Sequence, residues 1–245
     1  IIDISIDKVI INDLITLNNV TGQFNNTDSD KDYFLGSLIG GPEVRGSIVS
    51  KEEKFGVTIE SDKGGEVLQS LGLVKGARGG DMIVKINPTD GKGTYNGNLS
   101  LKNVRLKKAP ILADLLSATS VFGLIEQLSG DGILFLESEA DFILKPRGIV
   151  LEKASAVGAS LGVSIDGIYD VQGKKLDMQG VISPMYTVNG MLLGKLFAPR
   201  DGEGLIGFNY SIVGPLDNPA VSINPLSIFT PGIFREIFRR PVPKL

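Results

Sequence analysis

Four stretches of this chain carry residue types at spacings associated with chemistry. Gly158-Ala159-Ser160-Leu161-Gly162 has the G-x-S-x-G spacing of a nucleophile elbow, whose serine sits on a sharp strand-to-helix turn. That elbow also needs a histidine base, and the chain has none. An alternating, strand-like run follows instead of a helix, so the stretch reads as a structural turn. Gly202-Glu203-Gly204-Leu205-Ile206-Gly207 has the G-x-G-x-x-G spacing of a dinucleotide fingerprint. The fingerprint works where a helix N-terminus meets pyrophosphate, and this one leads into a strand. Asp28, Asp30 and Asp32 imitate the first half of a calcium loop, but Tyr33 stands where glycine is needed and Ile39 where a bidentate glutamate belongs. They read as a solvated loop. Glu137, Glu139 and Asp141 fall on one strand face, about 6.6 Å apart. Paired carboxylates can serve glycoside hydrolysis. These face away from an apolar set, as the wet side of a sheet does.

Composition narrows the chemistry further. The chain has no His, Cys or Trp, which removes the commonest general base, thiolate nucleophiles and the usual soft metal ligands. No catalytic residue, no metal site and no cofactor is expected, and the chain reads as a non-enzyme. Net charge is −3, from 25 basic and 28 acidic residues, which argues against nucleic acid as a partner. Arg105, Lys107 and Lys108 read as a solvated strand end rather than a phosphate clamp. With 42% hydrophobic and 22% charged residues in 245, the composition is globular and suits one large all-β domain or two small ones. The residues carry no signal peptide or transmembrane segment and begin at Ile1. The expectation is a fragment whose targeting information lies upstream.

What must position these residues is mostly strand. Ile2, Ile4 and Ile6 alternate with Asp3, Ser5 and Asp7, the period of a half-buried strand. Similar runs are expected over Leu14–Val20, Glu43–Val49, Phe55–Glu60, Met82–Ile86 and Tyr95–Lys102. Beyond them, Leu134, Leu136, Ala140, Phe142 and Leu144 read as one apolar face, followed by strands through Ile149–Val157, Leu161–Val171, Leu176–Ile182, Ile206–Ile212 and Val221–Ile223. Gly64–Leu73 and Asn189–Phe197 suit short helices, and Asn25–Asp32 a polar loop. Short turns between so many strands predict an antiparallel meander with one apolar and one wet face.

Pro110–Leu128 is the exception around which the rest is organised. Leu112, Leu115, Leu116, Phe122, Ile125 and Leu128 recur at spacings of three and four, Pro110 suits a first turn, and Gly130 suits a stop. Only Asp114, Glu126 and Gln127 are strongly polar. Burying about nine apolar side chains gives a gross term of roughly 13–27 kcal/mol, so this single helix must be wrapped. The expected fold is mainly β: a large curled antiparallel sheet, a β-groove, with one apolar helix on its concave face and two or three short helices. Residues 1–230 read as one continuous unit and 231–245 as an amphipathic terminal helix and tail. Ile233, Phe234, Ile237 and Phe238 fall on one face of that helix, with Arg235, Arg239 and Arg240 on the other. It either caps the sheet or touches a membrane surface or partner.

Several stretches carry a resemblance. Leu161–Pro184 and Gly202–Asn224, with Tyr-Ser-Ile-Val-Gly-Pro-Leu-Asp-Asn-Pro, are similar to the AsmA-like C-terminal region of bacterial envelope proteins. The run Val-Ser-Ile-Asn-Pro-Leu-Ser-Ile-Phe-Thr-Pro-Gly-Ile-Phe-Arg that follows, Gly64–Asp81 and the helix Ala109–Leu128 fall in the same order, so the resemblance covers about residues 60–240. It rests on structural turns. It implies a long curled sheet with an apolar inner groove in the periplasm of a Gram-negative bacterium, anchored to the inner membrane by an N-terminal segment. It further implies movement of phospholipid toward the outer membrane, with outer-membrane or envelope proteins as further partners and no catalytic residues.

The expected lining of such a groove is Leu136, Phe142, Leu144, Val163, Ile165, Met178, Phe208 and Tyr210, with Leu112, Leu115, Leu116, Phe122 and Ile125 on the groove helix. Plain core packing is the alternative for each. A scaffold that binds envelope proteins through its sheet edge or terminal helix is the alternative function.

Overall fold

The computed structural model describes residues 2–10, 16–24, 32–38, 41–51, 54–89, 93–119, 122–184, 200–230 and 239–241. Strands dominate: β1 (Ile2–Ile10), β2 (Thr16–Phe24), β3 (Asp32–Leu38), β4 (Glu43–Lys51), β5 (Lys54–Ser61), β6 (Ala77–Arg78), β7 (Asp81–Pro88) and β8 (Tyr95–Leu106). After the central helices come β9 (Ile133–Lys145), β10 (Gly148–Val157), β11 (Leu161–Asp170), β12 (Lys175–Pro184), β13 (Phe208–Pro215) and β14 (Ala220–Asn224), then a 3₁₀ turn (Pro225–Phe229). Among the described residues the helices are α1 (Gly64–Ser70), α2 (Pro110–Ala118) and α3 (Phe122–Ser129).

The fourteen strands among the described residues form one antiparallel sheet that does not close. Except for β6, which pairs with β8, each strand lies beside its neighbours in sequence order. The sheet curls: α2, which leaves β8, packs against β14 on the far side of β9–β13, and Lys75 Nζ lies 3.7 Å from Asp217 Oδ1 in the β13–β14 turn. The strands β3 and β6 are absent from the sequence reading. Residues 189–197, the other expected short helix, lie outside the described residues, as do Asp28 and Asp30; Asp32 opens β3.

The expected single helix is two. Pro110 starts α2 without a side-chain cap, and Leu112, Leu115 and Leu116 are buried. Thr119 ends it: its N–H donates to the Leu115 carbonyl and its Oγ1 to the Leu116 carbonyl at 2.9 Å. A hydroxyl that bonds back into the preceding turn competes with continuation of the helix, and the Thr119-Ser120-Val121 run has little helix propensity to oppose it. In α3 the buried residues are Leu124 and Leu128, with Ile125 half-buried against the same core; the Phe122 side chain lies outside the described residues.

Two asparagines with positive φ, Asn19 (52°) and Asn103 (57°), switch the side-chain alternation within a strand. Before Asn103 the core residues of β8 are Leu99 and Leu101; after it they are Val104 and Leu106. Opposite, β9 shifts in the same place, so Ile133 and Phe135 face the core at 0% and 1% exposure. This corrects the expected face of β9. Leu134 and Leu136 do not share it with Ala140 and Phe142, and Leu136 is left 40% exposed. The αL conformation that asparagine tolerates carries the change, and a count of alternating residues does not see it.

Aromatic rings lie over cross-strand glycines at several points. Phe142 pairs with Gly97, where an added Cβ would sit 2.1 Å from the ring, and Phe34 covers Gly46 in the same way. Gly97→Val is therefore expected to expel the Phe142 ring and destabilise the fold by about 1–3 kcal/mol in urea unfolding. A second prediction concerns the β11–β12 turn. Asp170 accepts from the Gly173 N–H at 2.9 Å and from Arg147 at 3.0 Å, which together hold its carboxyl below the ordinary 3.8. A depressed folded value means stability that is present above the unfolded pKa and fades as pH falls through the folded one. An NMR titration should place Asp170 below 3.8, and Asp170→Asn should flatten that part of the acid-stability profile.

Candidate functional site

The register brings apolar residues into rows that run across the strands. One row passes through Ile4, Gly22, Phe34, Gly46, Ile59, Val84 and Leu99 from β1 to β8. It continues through Ala140, Ala154, Ile165, Gly180, Tyr210 and Ile223 to β14. Every member is apolar, aromatic or glycine. Thirteen strands at ~4.8 Å make this track roughly 58 Å long. A parallel row holds Ile48, Val57, Ile86, Gly97, Phe142, Leu151, Gly167, Met178, Ile212 and Val221.

The opposite face is the reverse. The row one residue over runs Ser47, Thr58, Lys85, Asn98, Asp141 and Lys153, with charges of both signs. The three carboxylates Glu137, Glu139 and Asp141 lie exposed on this face, opposite Lys102, Ser100 and Asn98, and Asn98 donates to Asp141 at 2.6 Å. They form part of a polar strand-pairing network on the water side.

The helices do not cover the apolar face evenly. Met82, Leu101, Val104, Ile133, Phe135, Leu161 and Ile182 are nearly sealed, all toward the strand ends that carry α1, α2 and α3. Along the track, Ile4, Phe34, Ile59, Val84, Leu99, Ala140, Ala154 and Ile165 remain half-buried. Of the expected lining residues, Phe142, Leu144, Val163, Ile165 and Phe208 are half-buried, whereas Met178 and Tyr210 are buried in the core and Leu136 stands apart. Of the track residues on β1–β8 that the sequence reading did not place in the lining, Ile59, Val84 and Leu99 were visible only as members of separate alternating runs, and Phe34 lies on β3, which that reading missed. Pairing register makes them one surface.

Tyr210 marks where the track is sealed. It lies across Gly180, and its hydroxyl donates to the main-chain carbonyl of Ser164 at 2.8 Å. Burial, and secondarily the Asp166 carboxylate, pushes its phenol well above the ordinary value, so it stays a neutral donor.

Under β11–β13 the outer face is not wet, which departs from the expected pattern. Ser164, Asp166 and Ser183 are buried there beneath residues 200–207. The glycines of the G-x-G-x-x-G stretch allow that close approach: a Cβ on Gly202 (φ +81°) would lie 2.3 Å from the Val163 carbonyl, and one on Gly207 2.6 Å from Ser183. Gly204 N–H donates to Ser183 Oγ at 2.9 Å, and Glu203, fully buried, accepts from Ser164 at 2.6 Å. Asp166 receives Arg200 at 3.0 Å and Arg239 at 2.7 Å, and Arg239 also bonds Glu203. Of the terminal set, Ile233, Phe234, Arg235, Ile237 and Phe238 lie outside the described residues, while Arg239 and Arg240 sit against this face. The G-x-S-x-G stretch is the β10–β11 hairpin turn, closed by Gly158 N–H on the Leu161 carbonyl.

Among the described residues no group of three or more acidic side chains could hold a metal ion, and no helix is long and apolar enough to cross a membrane. Removing the Tyr210 hydroxyl tests the seal: Tyr210→Phe should cost about 0.5–1.5 kcal/mol in denaturant unfolding and leave the far-ultraviolet circular dichroism unchanged. Comparison with known proteins returns no match: no protein-family model, no curated protein and no solved structure is similar enough to assign a family.

Proposed function

We propose that this chain shields phospholipid acyl chains along its apolar track, as a periplasmic segment of an AsmA-like envelope protein tethered to the inner membrane. The observation that carries the reading is the uncharged row from Ile4 to Ile223, half-open over most of its length beside an outer row that is charged. Shielding is worth about 0.8 kcal/mol per methylene, so a sixteen-carbon chain gains on the order of 12 kcal/mol. Repeating apolar contacts at each strand let a chain slide by exchanging like for like. A single buried charge would interrupt this, because removing it from water without a partner is costly. Headgroups stay in solvent, so no special residue is required, and no bond is made or broken.

A scaffold role has one observation in its favour: α2 and α3 occupy the concave face between β8 and β14, where a groove would otherwise continue. Native mass spectrometry decides between the two. The purified chain should carry phospholipid, Leu99→Glu on the track should reduce the occupied fraction at least tenfold, and Thr58→Glu on the outer face should leave it unchanged. A well-folded, lipid-free protein, or equal loss in both variants, overturns the transport reading and selects the scaffold.

A further inference from the structure

The outer face of β11–β13 holds a segment of the same chain by contacts that read as peptide recognition. Gln179 grips the main chain of Arg240 from both sides of its amide: Nε2 donates to the Arg240 carbonyl at 2.6 Å, and Oε1 accepts from the Arg240 N–H at 3.1 Å. Such a two-point clasp recognises extended backbone whatever its sequence. The side chains supply the selectivity. The Arg239 guanidinium enters between Asp166 and Glu203, which are 1% and 0% exposed, and its own side chain is 8% exposed. Arg240 reaches Asp177 at 3.1 Å.

The carboxylates of the receptor also have partners other than its occupant. Asp166 is held by Gln179 at 2.9 Å as well as by Arg200, and Glu203 by Ser164, so each carboxylate keeps a partner besides Arg239. Glu203 Oε2 is buried with no hydrogen-bond partner. A cleft of about 180 Å³ continues beside the two arginines toward β14, lined by Asn209, Ser211, Ser222 and Asn224, and Asn209 Oδ1 in it is a buried acceptor without a donor. The bound residues thus fill only part of a polar groove, in which Asn209 Oδ1 is a spare acceptor.

We propose that this groove is a receptor for an extended, arginine-bearing peptide segment, and that Arg239-Arg240 occupies it in cis as a displaceable strap. Arginine rather than lysine fits because a planar fork can serve two carboxylates at once. The site lies on the face opposite the apolar track and does not depend on what that track binds.

The test uses the full chain. Arg239→Ala should leave the sheet folded by circular dichroism while the Arg240 amide, clasped by Gln179, exchanges at least tenfold faster. A fluorescent peptide of residues 236–241 (Glu-Ile-Phe-Arg-Arg-Pro) should bind that variant at least tenfold more tightly than the wild type, whose groove is filled. The same peptide with citrulline in place of the first arginine should bind at least tenfold more weakly. Equal binding to variant and wild type, equal binding of the citrulline peptide, or an Arg240 amide that stays protected in Arg239→Ala overturns the proposal. Should Arg239→Ala fail to fold, Gln179→Ala decides: it breaks the clasp without stranding a charge, and amide exchange at Arg240 must rise at least tenfold for the proposal to stand.

Discussion

Pairing register is the constraint from which everything else in this molecule follows. Side chains alternate with a period of two, so a slip of one residue in any ladder would carry a row such as Ser47-Thr58-Lys85-Asn98 onto the apolar face. Backbone hydrogen bonds alone do not choose between the two registers, since each satisfies the same donors and acceptors. The choice is made by burial: twelve successive ladders agree because each gains by matching apolar to apolar on the concave side. Short sequential turns help, as each strand needs to find only the one before it.

Where the alternation does change hand, it changes in two strands together. Asn103 in β8 and the matching irregularity at Leu136 in β9 preserve the hydrogen-bond register while exchanging the faces above and below. The sealed zone under the helices and the half-open zone beside them are thereby offset by one side-chain position. This is why Ile133 and Phe135, rather than Leu134 and Leu136, meet the helices.

Much of this was legible in the residues. The period of two in Ile2–Asp7, Tyr95–Lys102 and Leu161–Val171 is enough for strands, and short turns between them are enough for a meander. What stayed hidden depends on events that no local pattern records. The break at Thr119 turns on one hydroxyl bonding backwards; the strand Asp32–Leu38 begins inside an acidic run and carries a buried Gly36 that leaves no apolar side chain to count; and the face change at Leu136 lies opposite an asparagine on another strand. The buried cluster on the outer face was masked by a motif look-alike. In Gly202–Gly207 the glycines attract notice, but the glutamate between them is the residue that ends fully buried among charges. Buried ions of this kind lean on specific partners, so that corner of the sheet is organised by a few long-range pairs rather than by the pervasive pattern that builds the rest.

An open sheet that pairs only in order has one further property: its width is not fixed by closure. A barrel must keep strand number, tilt and shear in step, and inserting a hairpin into one disturbs all three. Here an extra pair of strands would find its neighbours through the same local rule and leave those on either side undisturbed, lengthening the sheet by about 10 Å. Width in such an architecture is a quantity that duplication can adjust in small steps, one hairpin at a time.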